Sequence, residues 1–286
     1  MKLSDITSQN IRALSFICAL LIVPIHASYL GQGVSMTRFE RCVMFVISDG
    51  VCRVAVPFFF IVSGFLLAVK FRPTKIWYGN ILRKRFKSLY VPFLLWNVIY
   101  FCFQLANGKG FVDVAERILG YNVFVYPSCM QFWYLQSLFI VILIAPFLLS
   151  ILRSKCISIM LLLFCLIGVA TNNYGINLPQ PLFLINFFWM FVGAILAFNW
   201  DVVTEKVKIR FSLEFISPDL ARLSFFVYAS HYIGINLVSV ALKVVHIPLL
   251  CAYFIKIAAG VVMGVGGGFV CRKFLPRVYF LLTGGR

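Results

Sequence analysis

Several basic side chains stand where a charge is costly, and each could do chemistry. His26 closes the apolar run LLIVPIH, two residues after Pro24. An imidazole can take a proton from a hydroxyl near neutral pH. Proline removes a backbone donor and locally opens a helix, which helps to seat a polar group. Arg12 precedes His26 by fourteen positions. At 3.6 residues per turn the two fall about 40° apart on one helix face and about 21 Å apart along the axis, so they could line one path. Two plainer roles stay open beside this one. His26 could be an interfacial histidine bonded to a neighbouring helix, and Arg12 a simple interfacial anchor.

Arg53 follows Asp49 by four residues. An i,i+4 ion pair explains it structurally, and an arginine facing a polar cavity explains it functionally. His231 lies in SFFVYASHY, and Lys256 is isolated in a late apolar run, free to snorkel or to line a cavity. His246 falls in a loop. The consecutive bases Arg83, Lys84 and Arg85, with Lys87 close behind, abut Tyr90-Val91-Pro92-Phe93. Such a cluster at a membrane entrance binds anionic headgroups by default. It suits phosphate clamping equally well, because the guanidinium fork is bidentate.

These residues need a scaffold, and composition names its class. The 286 residues are 62% hydrophobic and 12% charged, against roughly 45–50% and 25% in soluble domains. Mean hydropathy is +0.96. Soluble-enzyme, disordered and disulfide-scaffold classes are excluded. The chain reads as an all-α, polytopic transmembrane helix bundle forming a single domain over residues 1–286. Spans are expected near 11–30, 50–69, 90–105, 131–151, 157–171, 182–199, 223–242 and 249–270, about eight in all with ten as the ceiling. VDVAERIL before Gly120 predicts a short interfacial helix, and 172–181 a loop. The nine cysteines are scattered, with no C-x-x-C and no metal spacing, so no metal is expected.

The net charge of +17 would suggest nucleic acid in a soluble protein. With both termini in the cytoplasm, however, 19 of the 26 Lys and Arg fall in cytoplasmic segments. The positive-inside rule therefore accounts for most of the excess, and no nucleic-acid partner is needed. No Asp or Glu lies deep in any expected span. That disfavours a proton-relay transporter built on intramembrane carboxylates.

Six segments, in order, resemble the acyltransferase-3 family of integral-membrane acyltransferases. LSFICALLIVPIHAS is similar to its first helix with a late histidine. RVAVPFFFIVSGFLL from Arg53 to Leu67 is the most specific match, to an Arg-x-x-V-P-x-F-F-x-x-S-G signature. LRKRFKSLYVPFLLW resembles the Arg-x-Arg element and the helix after it. QFWYLQSLFIVILIAPFL, FFWMFVGAILA and LSFFVYASHYIG resemble three later helices.

The resemblance implies transfer of an acyl group, commonly acetyl, from cytoplasmic acyl-CoA to a hydroxyl of a surface or lipid-linked glycan. It implies a multi-pass protein of the bacterial inner membrane, in contact with membrane lipids. Carried over, His26 matches the catalytic histidine and Arg53 the arginine of the signature helix. Arg83 and Arg85, with Lys84 between them, match the element that holds the CoA phosphates. Trp133, Tyr134 and His231 become substrate-binding candidates, and Arg53 or Tyr134 could donate to the oxyanion. Two departures stand out. The family's arginine eleven residues before the histidine is Ser15 here, with Arg12 one turn earlier. Eight spans are also fewer than the family's usual ten or so. A transporter or flippase of a lipid-linked glycan, and a degenerate family member, are the competing expectations.

Overall fold

The structure is a computed structural model. It describes residues 3–108, 110–111, 129–171, 184–206, 213–245 and 247–285. The expected interfacial helix before Gly120, the loop at 172–181 and His246 lie outside the described residues. The fold is all-helical, 83% helix with no strand among the described residues. Among the described residues six helices are long and apolar enough to cross a membrane. Two shorter apolar helices, Lys155–Ala170 and Leu184–Phe198, stand where the fifth and sixth spans are expected. Large apolar side chains such as Phe147, Phe164 and Val262 are exposed, which suits a lipid surrounding and no aqueous one.

Helix starts differ from the apolar runs, and capping explains each difference. The first helix, α1 (Asp5–Ala27), begins in the polar segment because Ser4 Oγ accepts the Thr7 N–H at 3.1 Å. The next, α2 (Arg38–Met44), begins well before Gly50. Thr37 accepts from the Glu40 N–H, and Glu40 accepts from the Thr37 N–H, closing a capping box. It continues through a wide π turn at Phe45–Val51 and a tight turn at Cys52–Val54 into α3 (Ala55–Ala68). The basic segment before the third expected span is helix. Thr74 caps α4 (Lys75–Arg85), which passes through a π turn at Phe86–Tyr90 into α5 (Val91–Ala106). A charge run reads as loop in the sequence, yet its Lys and Arg are good helix formers.

The remaining helices among the described residues are α6 (Trp133–Ile151), α7 (Lys155–Thr171), α8 (Leu184–Phe198), α9 (Trp200–Lys206), α10 (Pro218–Ala221), α11 (Ser224–Ala241), α12 (Leu249–Val261), α13 (Gly267–Phe274) and α14 (Pro276–Thr283). By contact the chain divides into two compact units. The first is essentially Pro57–Phe211, and the second joins Ser4–Val56 to Ser212–Arg286.

In the first unit α3 and α8 cross reciprocally. A Cβ on Gly64 would strike the Met190 carbonyl, and one on Gly193 would strike the Ile61 carbonyl. Each glycine thus sits on the carbonyl of the residue three before the other. In lipid, where apolar burial gives little drive between helices, such close backbone approach is what associates them.

In the second unit α1 packs against α11 and α12. Its buried stripe Ala19, Val23 and Ala27 recurs every four residues, the spacing of one helix face. Gly260 of α12 leaves room for Val23, whose Cγ1 would lie 2.6 Å from an added Cβ.

Candidate functional site

In the second unit the end of α1 meets α11. The rings of His26 and His231 lie 5.2 Å apart, tilted by 39°. Tyr232 stands edge-on to His26 at 5.8 Å. His26 is half-buried and His231 fully buried. The Nδ1 of His231 lies 3.1 Å from the Val227 carbonyl oxygen. A carbonyl only accepts, so this bond needs the proton on Nδ1 and leaves a lone pair on Nε2. Among the described residues nothing hydrogen-bonds that Nε2.

The π turn of the second span braces the same end. Ser48 Oγ donates to the Pro24 carbonyl at 2.9 Å. Its one proton thus placed, the 2.8 Å contact with Tyr253 requires the tyrosine hydroxyl to donate. Lys256 lies one turn along α12 from Tyr253, is 6% exposed, and holds its Nζ 3.5 Å from the centre of the Tyr29 ring. Arg53 is exposed and bound to Asp49, with Nε and Nη2 each 2.6 Å from Oδ1. It makes the i,i+4 pair. Arg12 is exposed and lines a pocket of about 180 Å³ with Gln9 and Glu214.

Asp219, which lies outside the spans, carries an ion pair in the second unit. Arg272 Nη2 donates to Asp219 Oδ1 at 2.6 Å, and this bond holds the carboxyl below its ordinary range, aided by the Arg272 charge.

The basic run in the first unit points its side chains in different directions. Residues two apart on a helix point about 200° apart. Accordingly Arg83 and Lys84 are exposed, while Arg85 turns inward and is half-buried. It lines a cavity of about 300 Å³ with Phe86, Tyr90, Phe93, Gln136 and Phe139. The π turn at Phe86–Tyr90 supplies part of this wall, a use of such turns that recurs at functional sites. Tyr134 lies one residue after Trp133 at the start of α6. Its hydroxyl donates to the Phe59 carbonyl at 3.2 Å and receives the Ser63 hydroxyl at 2.7 Å. Trp133 packs against the buried Phe60, ring centres 5.9 Å apart.

Over residues 9–216, well over half of the chain, the sequence matches the acyltransferase domain Acyl_transf_3. The chain belongs to the acyltransferase-3 family. No curated protein and no solved structure matches it. It is a multi-pass membrane protein with an acyltransferase domain. The matched stretch of this acyltransferase-3 chain contains His26, Arg53, Arg83, Lys84, Arg85, Trp133 and Tyr134, and ends before His231 and Lys256.

Ser48, Tyr253, Tyr29 and Tyr232 of this acyltransferase-3 chain also gather at this end, though no sequence motif marks them. One signal was available: Tyr253 and Lys256, three apart, place two polar tips on one face of an otherwise apolar helix. The others meet only through the fold.

Proposed function

We propose that this acyltransferase-3 protein is a bacterial inner-membrane O-acyltransferase. It moves an acyl group, acetyl in the simplest case, from cytoplasmic acyl-CoA to a hydroxyl of an extracytoplasmic or lipid-linked glycan. Both termini lie in the cytoplasm in this reading. The observation that carries it is His26, half-buried against His231 and Tyr232, in a chain of this family.

His26 acts as general base. Its neutral imidazole takes the acceptor's hydroxyl proton while the oxygen attacks the thioester carbonyl. The tetrahedral intermediate collapses by expelling the CoA thiolate, which receives that proton and leaves as the free thiol. His231 offers a lone pair and no second proton, so it favours the protonated His26 that forms midway. Arg53 is the better oxyanion donor, because the Tyr134 proton is already given to Phe59.

Arg85 holds a CoA phosphate at the edge of a largely apolar cavity able to take a thin chain. Arg83 and Lys84 add long-range attraction for the donor or for anionic headgroups. Trp133 and Tyr134 shape the substrate path beside Arg85.

Mass spectrometry of surface glycans from cells with and without the protein tests the reading. The expected result is an alkali-labile, hydroxyl-linked acyl increment that appears only with the protein. Identical glycan masses in the two samples would contradict it.

A further inference from the structure

The acids of the second unit can be accounted for one by one. Asp49 binds Arg53, Asp219 binds Arg272, and Glu40 closes the capping box with Thr37. Asp5 opens α1, and Glu214 shares a pocket with Arg12. Among the described residues only three ion pairs form, and none involves Lys256, Arg38 or Arg41.

Of these cations Lys256 is the most informative. It is 6% exposed in an apolar helix, with the Tyr29 ring as the partner of its ammonium. Burying an unpaired ammonium costs more than one cation–π contact returns. A methionine would fill the same space at lower cost, so the charge is there for something else.

Register places it near the proposed base. The close approach of Gly260 to Val23 aligns α12 with α1. One turn back along α12 is residue 256, and one turn forward along α1 is residue 26 or 27. An open pocket of about 460 Å³ is lined by Arg38, Arg41, Asp49 and by Leu30, the residue after the Tyr29 whose ring meets Lys256. Arg38 and Arg41, three apart, share one side of α2. Both are exceptions to the charge bias, since this end lies outside when the termini are cytoplasmic.

We propose that Lys256, with Arg38 and Arg41 at the neighbouring pocket, binds an anionic group on the acceptor. The substrate class is then an acidic glycan carrying a carboxylate or a phosphate. This rests on the acyltransferase reading and narrows it. A carboxylate or phosphate suits both the arginine forks and the lysine, whereas a neutral sugar would leave three cations without a counter-charge.

The test reads binding without acyl-CoA, so it fails separately from the activity. Full-length protein in phosphatidylcholine nanodiscs is titrated with glucuronate, glucose 1-phosphate and glucose, followed by saturation-transfer NMR. One charged probe is expected to bind at least about ten-fold more tightly than glucose (roughly one such charged contact), and whichever does so names the anion. Lys256→Met should bring that preference below about two-fold, with the thermal midpoint kept or raised, while Lys256→Arg retains most of it. Should Lys256→Met fail to fold, Arg38→Gln with Arg41→Gln, both at exposed positions, must weaken the same preference. Equal binding of charged and neutral probes overturns the proposal, as does an undiminished preference in these variants. Loss of the preference when phosphatidylglycerol is added overturns it too, because the cations would then be headgroup anchors.

Discussion

The two units bury polar groups of different kinds. Pro57–Phe211 buries amides and hydroxyls, among them Asn97, Gln136, Ser137 and Asn186. Neutral groups of this kind can be satisfied locally: Asn97 donates to the Phe93 carbonyl and accepts from the Cys129 N–H. The other unit buries His231 and Lys256 beside a half-buried His26. Ionisable groups in an apolar interior are expensive and are retained where chemistry needs them. In the proposed mechanism donor binding belongs to the first unit and proton transfer to the second.

The largest effect should come from the second unit. His26→Ala should lower kcat by about 10²–10⁴-fold, the usual worth of a general base, with KM for acyl-CoA little changed and the melting temperature held. An unaltered kcat would dissolve the contrast. Next, Arg85→Ala should raise KM for acyl-CoA about ten- to a hundred-fold, the worth of a charge-assisted contact. Arg83→Ala and Lys84→Ala should do less, because both side chains point away from the cavity. A ranking in which Arg83→Ala exceeds Arg85→Ala would move the donor site to the exposed face.

A smaller, purely structural effect belongs to the first unit. Gly193→Leu should destabilise it by about 1–3 kcal/mol or more, since a backbone carbonyl blocks the added side chain, as read by thermal melting in detergent. The smallest effect is at Asp219. Its carboxyl is held below the ordinary value of 3.8 by Arg272. The pair's contribution is therefore fully present above that value and is lost as pH falls through the lower folded-state value. Asp219→Asn should erase that acid-side loss and leave the melting temperature near neutral pH almost unchanged, because the pair is exposed.

Much of the helix layout was legible because an apolar run of about twenty residues has few other uses. Helix starts were not, since Ser4, Thr37 and Thr74 extend helices into polar sequence that hydropathy assigns to loops. Which face of a span meets protein was illegible too. Lipid-facing and bundle-facing residues are equally apolar, so periodicity carries little contrast. His26 and His231 each stood out as polar residues in apolar runs, but their contact joins positions 205 residues apart. The same holds for Ser48 and Tyr253, also separated by 205 residues. The inward turn of Arg85 needed only the helix angle, once the segment was known to be helical.

In the proposed mechanism His26 removes the acceptor's proton during acyl transfer from acyl-CoA. The most direct measurement is release of the free CoA thiol by purified protein in nanodiscs, with an acidic glycan acceptor present or absent. Wild-type protein should release thiol only when acceptor is added, and folded His26→Ala should release almost none. Acceptor-dependent release by His26→Ala at the wild-type rate would contradict it.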